Sequence, residues 1–191
     1  GSRPIFVTAA IDAPQTRATD VAWEKDDAIG IYMKAHGESL SLSQLAQNMK
    51  YITKGTSVFN PENESDEVFF PFDGSPVDFI AYYPYRKTIT GLVYPINLSK
   101  QTNLSAIDLL YSNNANKLSS KNPNVNMVFS HQLSKIVLNI KSLSPKLDLS
   151  GLAVKITNMG TTASFSLIDG TLSEPLSKGD IFLRVNATGT F

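Results

Sequence analysis

Twenty residues, Glu67–Arg86 (EVFFPFDGSPVDFIAYYPYR), constrain the fold of this chain more than any others. Val68, Phe69 and Phe70 run into a turn built on Pro71, Asp73, Gly74 and Pro76. Beyond it, Val77, Phe79, Ala81 and Tyr83 alternate with Asp78, Ile80 and Tyr82 until Pro84 stops the run. Aromatic and β-branched side chains fit a pleated, half-buried surface, and Pro, Asp and Gly supply turn conformations. The stretch therefore reads as two paired strands of an antiparallel sheet.

The same punctuation continues along the chain, with Asn60-Pro61, Asn122-Pro123 and Asp169-Gly170 among the turn signals. Short strands separated by roughly ten residues, with almost no long helical pattern, predict an all-β sandwich or barrel. The candidate strands are Pro4–Ile11, Ala28–Met33, Glu67–Phe70, Val77–Tyr82, Val93–Ile96, Val125–Ser130, Ser134–Ile140, Ala153–Thr157, Ala163–Leu167 and Ile181–Val185. Ser41–Met49 is the exception: Leu42, Leu45, Ala46 and Met49 fall at helical spacing behind capping serines, which predicts one short helix. In Lys135–Lys141, Ile136, Leu138 and Ile140 share one face opposite Lys135, Asn139 and Lys141 beside Val137, a core face and a mostly wet face. In the first strand Ile5, Val7, Ala9 and Ile11 alternate with Phe6, Thr8 and Ala10. Both sets are largely apolar, which predicts cover on both faces. Ser112–Asn126, rich in Asn, Ser and Lys, predicts a long surface loop.

With 191 residues, 42% of them hydrophobic, the chain can bury a real core. Lys+Arg and Asp+Glu both total 17, so no global charge points to nucleic acid. Residues 1–85 nevertheless carry 6 basic against 12 acidic residues, and residues 86–191 carry 11 against 5. Interleaving of strands from the two halves would mix these charges; segregation would give acidic and basic ends suited to head-to-tail association. Without cysteine there is no disulfide, thiolate nucleophile or cysteine-held metal. No apolar run approaches the roughly 20 residues of a membrane helix. Residues 1–3, opening on Gly1-Ser2, read as a cloning scar or leader remnant.

The residues offer little chemistry. His36, beside Gly37, reads as a solvated loop residue. His131 reads as a side chain that ties down a strand corner through hydrogen bonds, since no nucleophile elbow occurs nearby. Asp20, Glu24, Asp26 and Asp27 surround Trp23 but lack the spacing of a calcium loop. Asp26-Asp27 reads instead as a turn launching the next strand, with Trp23 packed beneath it. No phosphate-binding loop or dinucleotide fingerprint occurs. No cofactor, metal or catalytic residue is assigned.

Several segments taken together resemble the fimbrillin family, surface lipoproteins that build or anchor Bacteroidetes-type fimbriae (type V pili). They are Thr16-Arg17-Ala18 ahead of Trp23, Asp27–Tyr32, Phe70-Pro71 and Val77–Tyr85 with its AYYPY element. Gln101, Asp108–Tyr111 and Phe129–Lys135, the F-x-H-x-L-x-K element, follow in order. The resemblance implies an antiparallel β-sandwich of transthyretin- or Ig-like type with long loops. Residues 4–185 would be the N-terminal domain, and residues 186–191 the start of a second domain or a tail. It also implies export to the cell surface and outer membrane, with membrane contact only through an N-terminal lipid absent from this chain. The implied partners are other fimbrial subunits, joined by β-strand addition in a homo- or hetero-polymer, with a host or bacterial surface ligand for adhesion. In such subunits an arginine-specific protease removes the first strand, so here Ile5, Val7, Ala9 and Ile11 would form the exchangeable strand and Arg17 the cleavage position.

Two other readings stand beside it. One is a surface carbohydrate-binding module using exposed Tyr83 or Tyr85. The other is a hydrolase whose site is assembled around His131. The first needs a flat exposed aromatic platform; the second needs a carboxylate and a nucleophile converging on the histidine.

Overall fold

The computed structural model describes residues 2–12, 22–103, 105–136, 138–144 and 147–184, and its elements are given for those residues. The run that dominates the sequence is β5, Val77–Tyr83, whose first six residues are all buried. Val77, Phe79 and Ala81 enter one apolar core, while Ile80 and Tyr82 enter a second. A strand with a core on each side must be apolar at nearly every position, as this one is.

Around β5 the chain closes a barrel of seven strands in the order β1, β4, β3, β2, β5, β7, β8. These are β1 Phe6–Ile11, β2 Lys25–Ala35, β3 Ala46–Lys54, β4 Val58–Pro61, β7 Leu110–Ser112 and β8 Asn124–His131, with β5. Inside it, Ile5, Val7 and Ala9 pack with Trp23, Ile29, Ile31, Phe59, Phe79 and Phe129 among others. A second sheet, in the order β10 (Ser177–Arg184), β9 (Ala153–Ser166), β6 (Val93–Asn97), contributes Tyr94, Ile96 and Phe165 to the second core. There they meet Tyr32 of β2, Ile80 and Tyr82 of β5 and Tyr111 of β7. Each large side chain fully buried this way contributes about 1.5–3 kcal/mol.

All-β architecture follows the sequence expectation, but the sandwich gives way to a closed barrel plus a second sheet. The pairing is not wholly antiparallel either, because β1 runs parallel to β8 across six residue pairs, Phe6↔Asn124 to Ile11↔Phe129. The expected helix at Ser41–Met49 is a turn running into β3. Leu42 and Leu45 are exposed, and Tyr51 and Thr53 are buried. The apolar face is thus set further along, and pairing with β2 and β4 overrides the short helical spacing. Glu67–Phe70 forms only an isolated bridge, Pro4↔Phe69. Ser134–Ile140 is not part of any strand among the described residues, and Ile136 is 52% exposed, so alternation there does not produce a buried face.

Other departures are smaller. Ala153–Thr157 and Ala163–Leu167 are one continuous strand, β9. Asp26 and Asp27 lie within β2 at an irregularity between Lys25 and Ala28, with Asp26 at φ 71°, rather than in a preceding turn. The segment after β7 is tied to the barrel: Ala115 is buried in the first core, and Leu118 bridges Val77. Five of the seven barrel strands come from residues 1–85, and the two from residues 86–191, β7 and β8, carry no Lys, Arg, Asp or Glu, while the second sheet comes wholly from residues 86–191.

Candidate functional site

The first strand closes the barrel by joining β8 to β4. On the β8 side it is paired along its whole length. On the β4 side only two pairs form, Val7↔Phe59 and Thr8↔Val58. The Ala9 amide donates to the Ser57 carbonyl at 2.8 Å, and the Ile5 amide to the Val68 carbonyl at 3.0 Å. Between these attachments a groove of about 350 Å³ opens, lined by Ile5, Phe6, Val58, Asn60, Pro61 and Glu67 among others. The ladder that closes the barrel is therefore short exactly along one edge of β1.

Of the four residues expected to form an exchangeable strand, Ile5, Val7 and Ala9 are 5%, 2% and 1% exposed. Ile11 is partly buried against the same core. The strand is not covered on both faces as expected: Phe6 is 57% exposed and Ala10 is exposed too. It is thus a one-sided plug, with apolar side chains inward and a largely open outer face. Arg17 lies outside the described residues.

Trp23 supplies a contact that motif reading missed. Its indole N–H donates to the Ala9 carbonyl at 2.8 Å. Its ring meets Phe59, Tyr83 and Phe129 edge-on, at centroid distances of 5.0, 5.4 and 5.5 Å. A side chain beyond the expected cleavage position therefore grips the middle of β1. The available signal was a lone tryptophan following an apolar strand, since a buried indole seeks an acceptor.

Across the barrel from this seam, β5 carries a buried carboxylate. Asp78 is 4% exposed and accepts from the Lys117 amide at 2.8 Å, the Gly37 amide at 3.1 Å and the Lys34 ammonium at 3.0 Å. His36 Nδ1 lies 2.7 Å from Oδ1, the oxygen that also accepts from the Lys117 amide, so this histidine is anchored rather than merely solvated. Burial alone would raise the Asp78 pKa; the Lys117 amide, His36, the Gly37 amide and Lys34 outweigh it and hold the carboxyl down at about 2.

At the opposite end of β8, His131 Nδ1 lies 2.9 Å from Asp108 Oδ1, and the Gln132 amide donates to the Leu109 carbonyl. The pair pins a strand corner, as the sequence suggested; no hydroxyl or thiol contact to the imidazole is found among the described residues. Tyr83 packs against Trp23 and donates to Asp27 at 2.9 Å. Tyr85 is half-buried with the Lys50 ammonium 5.3 Å from its ring centroid. Neither presents a bare aromatic platform. No cluster of three or more potential metal ligands occurs among the described residues, and no helix there is long and apolar enough to cross a membrane.

Comparison with known proteins places this geometry in context. A family model described as fimbrillin-like matches residues 16–190. A Bacteroides uniformis protein named "Putative fimbrium subunit Fim1C" is 38% identical over 165 residues, covering 81% of this chain and 52% of the relative. The chain thus spans about half the length of that relative. A crystal structure of a "putative cell adhesion protein" from the same species superposes with TM-score 0.80 at 31% identity, covering 98% of this chain and 72% of that one. A second protein so described, from Bacteroides ovatus, superposes with TM-score 0.73 at 20% identity, over 100% of this chain and 76% of that one, a likeness of fold. With the family model spanning nearly the whole sequence, the chain belongs to the fimbrillin-like family.

Proposed function

We propose that this chain is a non-enzymatic structural subunit or anchor of a cell-surface fimbrium, joined to its neighbours by β-strand addition. The observation that carries the proposal is the state of β1. It closes the barrel, buries Ile5, Val7 and Ala9, and is tied to β4 by only two residue pairs. Removing it would leave β8 and β4 with free edges facing an apolar slot. Such a slot accepts an incoming strand, which regains the main-chain ladder and refills the pockets for alternate side chains. In this reading Arg17 is where an arginine-specific protease frees the strand. Residues 4–185 act as the N-terminal domain of an exported lipoprotein, whose lipid provides the only membrane contact. Adhesion to a host or bacterial surface is the purpose of the polymer.

The test is limited digestion with an arginine-specific protease, mass spectrometry of the products, and titration with a peptide spanning Pro4–Pro14. The expected result is a cut at Arg17, a body that stays folded after losing β1, and saturable rebinding of the peptide. A body that unfolds on losing β1, or that never rebinds it, would make the strand a permanent part of the barrel and remove this mode of assembly.

A further inference from the structure

A second concavity, sharing no lining residue with the seam, lies where the barrel meets the second sheet. It has a volume of about 530 Å³ and is lined by Tyr32 of β2, by Gln44, Gln47 and Asn48 around the start of β3, and by the loop from Lys87 to Leu92. Its volume falls within the range of small-ligand sites, and it is an open, solvent-facing depression rather than an enclosed cavity. The cleft is held in shape from within. Asn48, in the left-handed region at φ 49°, accepts from the Tyr82 hydroxyl at 2.5 Å and donates its amide to the Arg86 carbonyl at 2.8 Å. One side chain thus pins the Arg86–Leu92 wall to the barrel.

Tyr32 is the unexplained group. It is 3% exposed, yet its hydroxyl makes no hydrogen bond among the described residues. No fully buried side-chain polar atom lacks a partner there. The hydroxyl therefore keeps its remaining accessible surface, and the space Tyr32 lines is the cleft. Burial pushes this phenol up to about 12, so it is a neutral hydrogen-bond donor at physiological pH. The side-chain amides of Gln44 and Gln47 and the Thr88 hydroxyl likewise have no hydrogen-bond partner among the described residues. Ile89, Leu92 and Ile168 give the cleft an apolar wall.

We propose that this cleft binds one or two sugar residues of a glycan, with the Gln44 and Gln47 amides and the Tyr32 hydroxyl reading sugar hydroxyls while Ile89, Leu92 and Ile168 meet the C–H face. Amides and hydroxyls both donate and accept, which matches groups that do the same. Other ligand classes fit less well. Lys87 is the one cation among the lining residues, too few for a phosphate clamp. No carboxylate lines the cleft to hold a cation. β2 is paired with both β3 and β5 and offers no edge to a peptide, whereas β3 meets β4 only from Tyr51 to Thr53, so binding of a peptide along its start is an outcome that the peptide probe below reads. This proposal goes beyond strand exchange and does not depend on it, since a chain that never releases β1 could still bind sugar.

The test is to titrate the full ¹⁵N-labelled chain with N-acetylglucosamine, galactose, mannose and sialic acid, with trialanine as the peptide probe, following amide shifts. The expected result is saturable shifts by at least one sugar at residues 32, 44–48 and 87–92. Tyr32→Phe, which removes only the hydroxyl, should weaken that binding about tenfold. Gln44→Ala combined with Gln47→Ala should weaken it further, and these accessible positions keep the test decisive if Tyr32→Phe does not fold. Absence of shifts with every sugar, shifts confined to another surface, unchanged affinity in the double variant, or shifts caused by trialanine alone would each overturn the proposal.

Discussion

β5 and β1 are both apolar strands of one barrel, yet they are held in different ways. β5 pairs antiparallel with β2 over six residues and with β7 over three, and it buries side chains in both cores. β1 buries one face, pairs in parallel with β8, and meets β4 at two positions. Parallel pairing is slightly weaker per residue, and an open outer face forgoes half the burial that β5 enjoys. The difference is one of attachment, with β5 held on both edges and both faces and β1 on one full edge and one face.

The largest effect should come from the network on β5. Asp78→Ala leaves Lys34 and two backbone amides without their acceptor, and breaking a buried charge pair costs about 3–5 kcal/mol. The measurement is the urea midpoint at pH 7. Acid should act on the same network. Because the folded pKa of Asp78, about 2, lies below the unfolded value, its contribution is full above about pH 4 and is lost as pH falls toward 2. The stability advantage of the native chain over Asp78→Asn should therefore shrink between pH 4 and pH 2. An advantage that stays constant across that window would show the carboxylate to be unimportant.

Gly30→Ala comes next. The Tyr82 ring lies where a Cβ on Gly30 would sit, so overpacking should cost about 2 kcal/mol, read as a lower melting temperature. Trp23→Phe addresses the seam. It keeps an aromatic ring against Phe59 and Phe129 but removes the hydrogen bond to Ala9, a loss of about 1 kcal/mol. Its signature should be faster proteolytic release of β1, with little change in the protection of β5. Smallest of all, Glu62→Gln breaks an exposed pair with Lys50, and the unfolding free energy read from urea titration should fall by less than about 0.5 kcal/mol.

The sequence made the central strands legible where periodicity and burial agreed. Val77–Tyr83 and Val93–Asn97 are strands because alternating apolar residues reach real cores. The inward face of the first strand, Ile5, Val7 and Ala9, was legible for the same reason. Three strands were not. β3 hid behind helical spacing at Leu42 and Leu45, while β4 and β7, at four and three residues, are too short to carry a period. Lys135–Lys141 alternates in sequence yet holds no strand among its described residues, because alternation marks a face and only a laddered neighbour makes it a sheet. Closure of the barrel, the parallel β1–β8 pair, the Trp23 contact and the Tyr32 cleft all depend on residues distant in sequence, which single-chain patterning does not encode.

Native-state hydrogen exchange of the intact chain tests the separability of β1 most directly. The Ala9 amide, bonded to Ser57, and the Phe79 amide, bonded to Ala115, report on the two strands. The account predicts that Ala9 exchanges through a sub-global opening at least about 2 kcal/mol less costly than global unfolding, while Phe79 and Ala81 exchange only with the whole barrel. Equal opening free energies at Ala9 and Phe79 would contradict it, making the first strand as integral to the fold as the fifth.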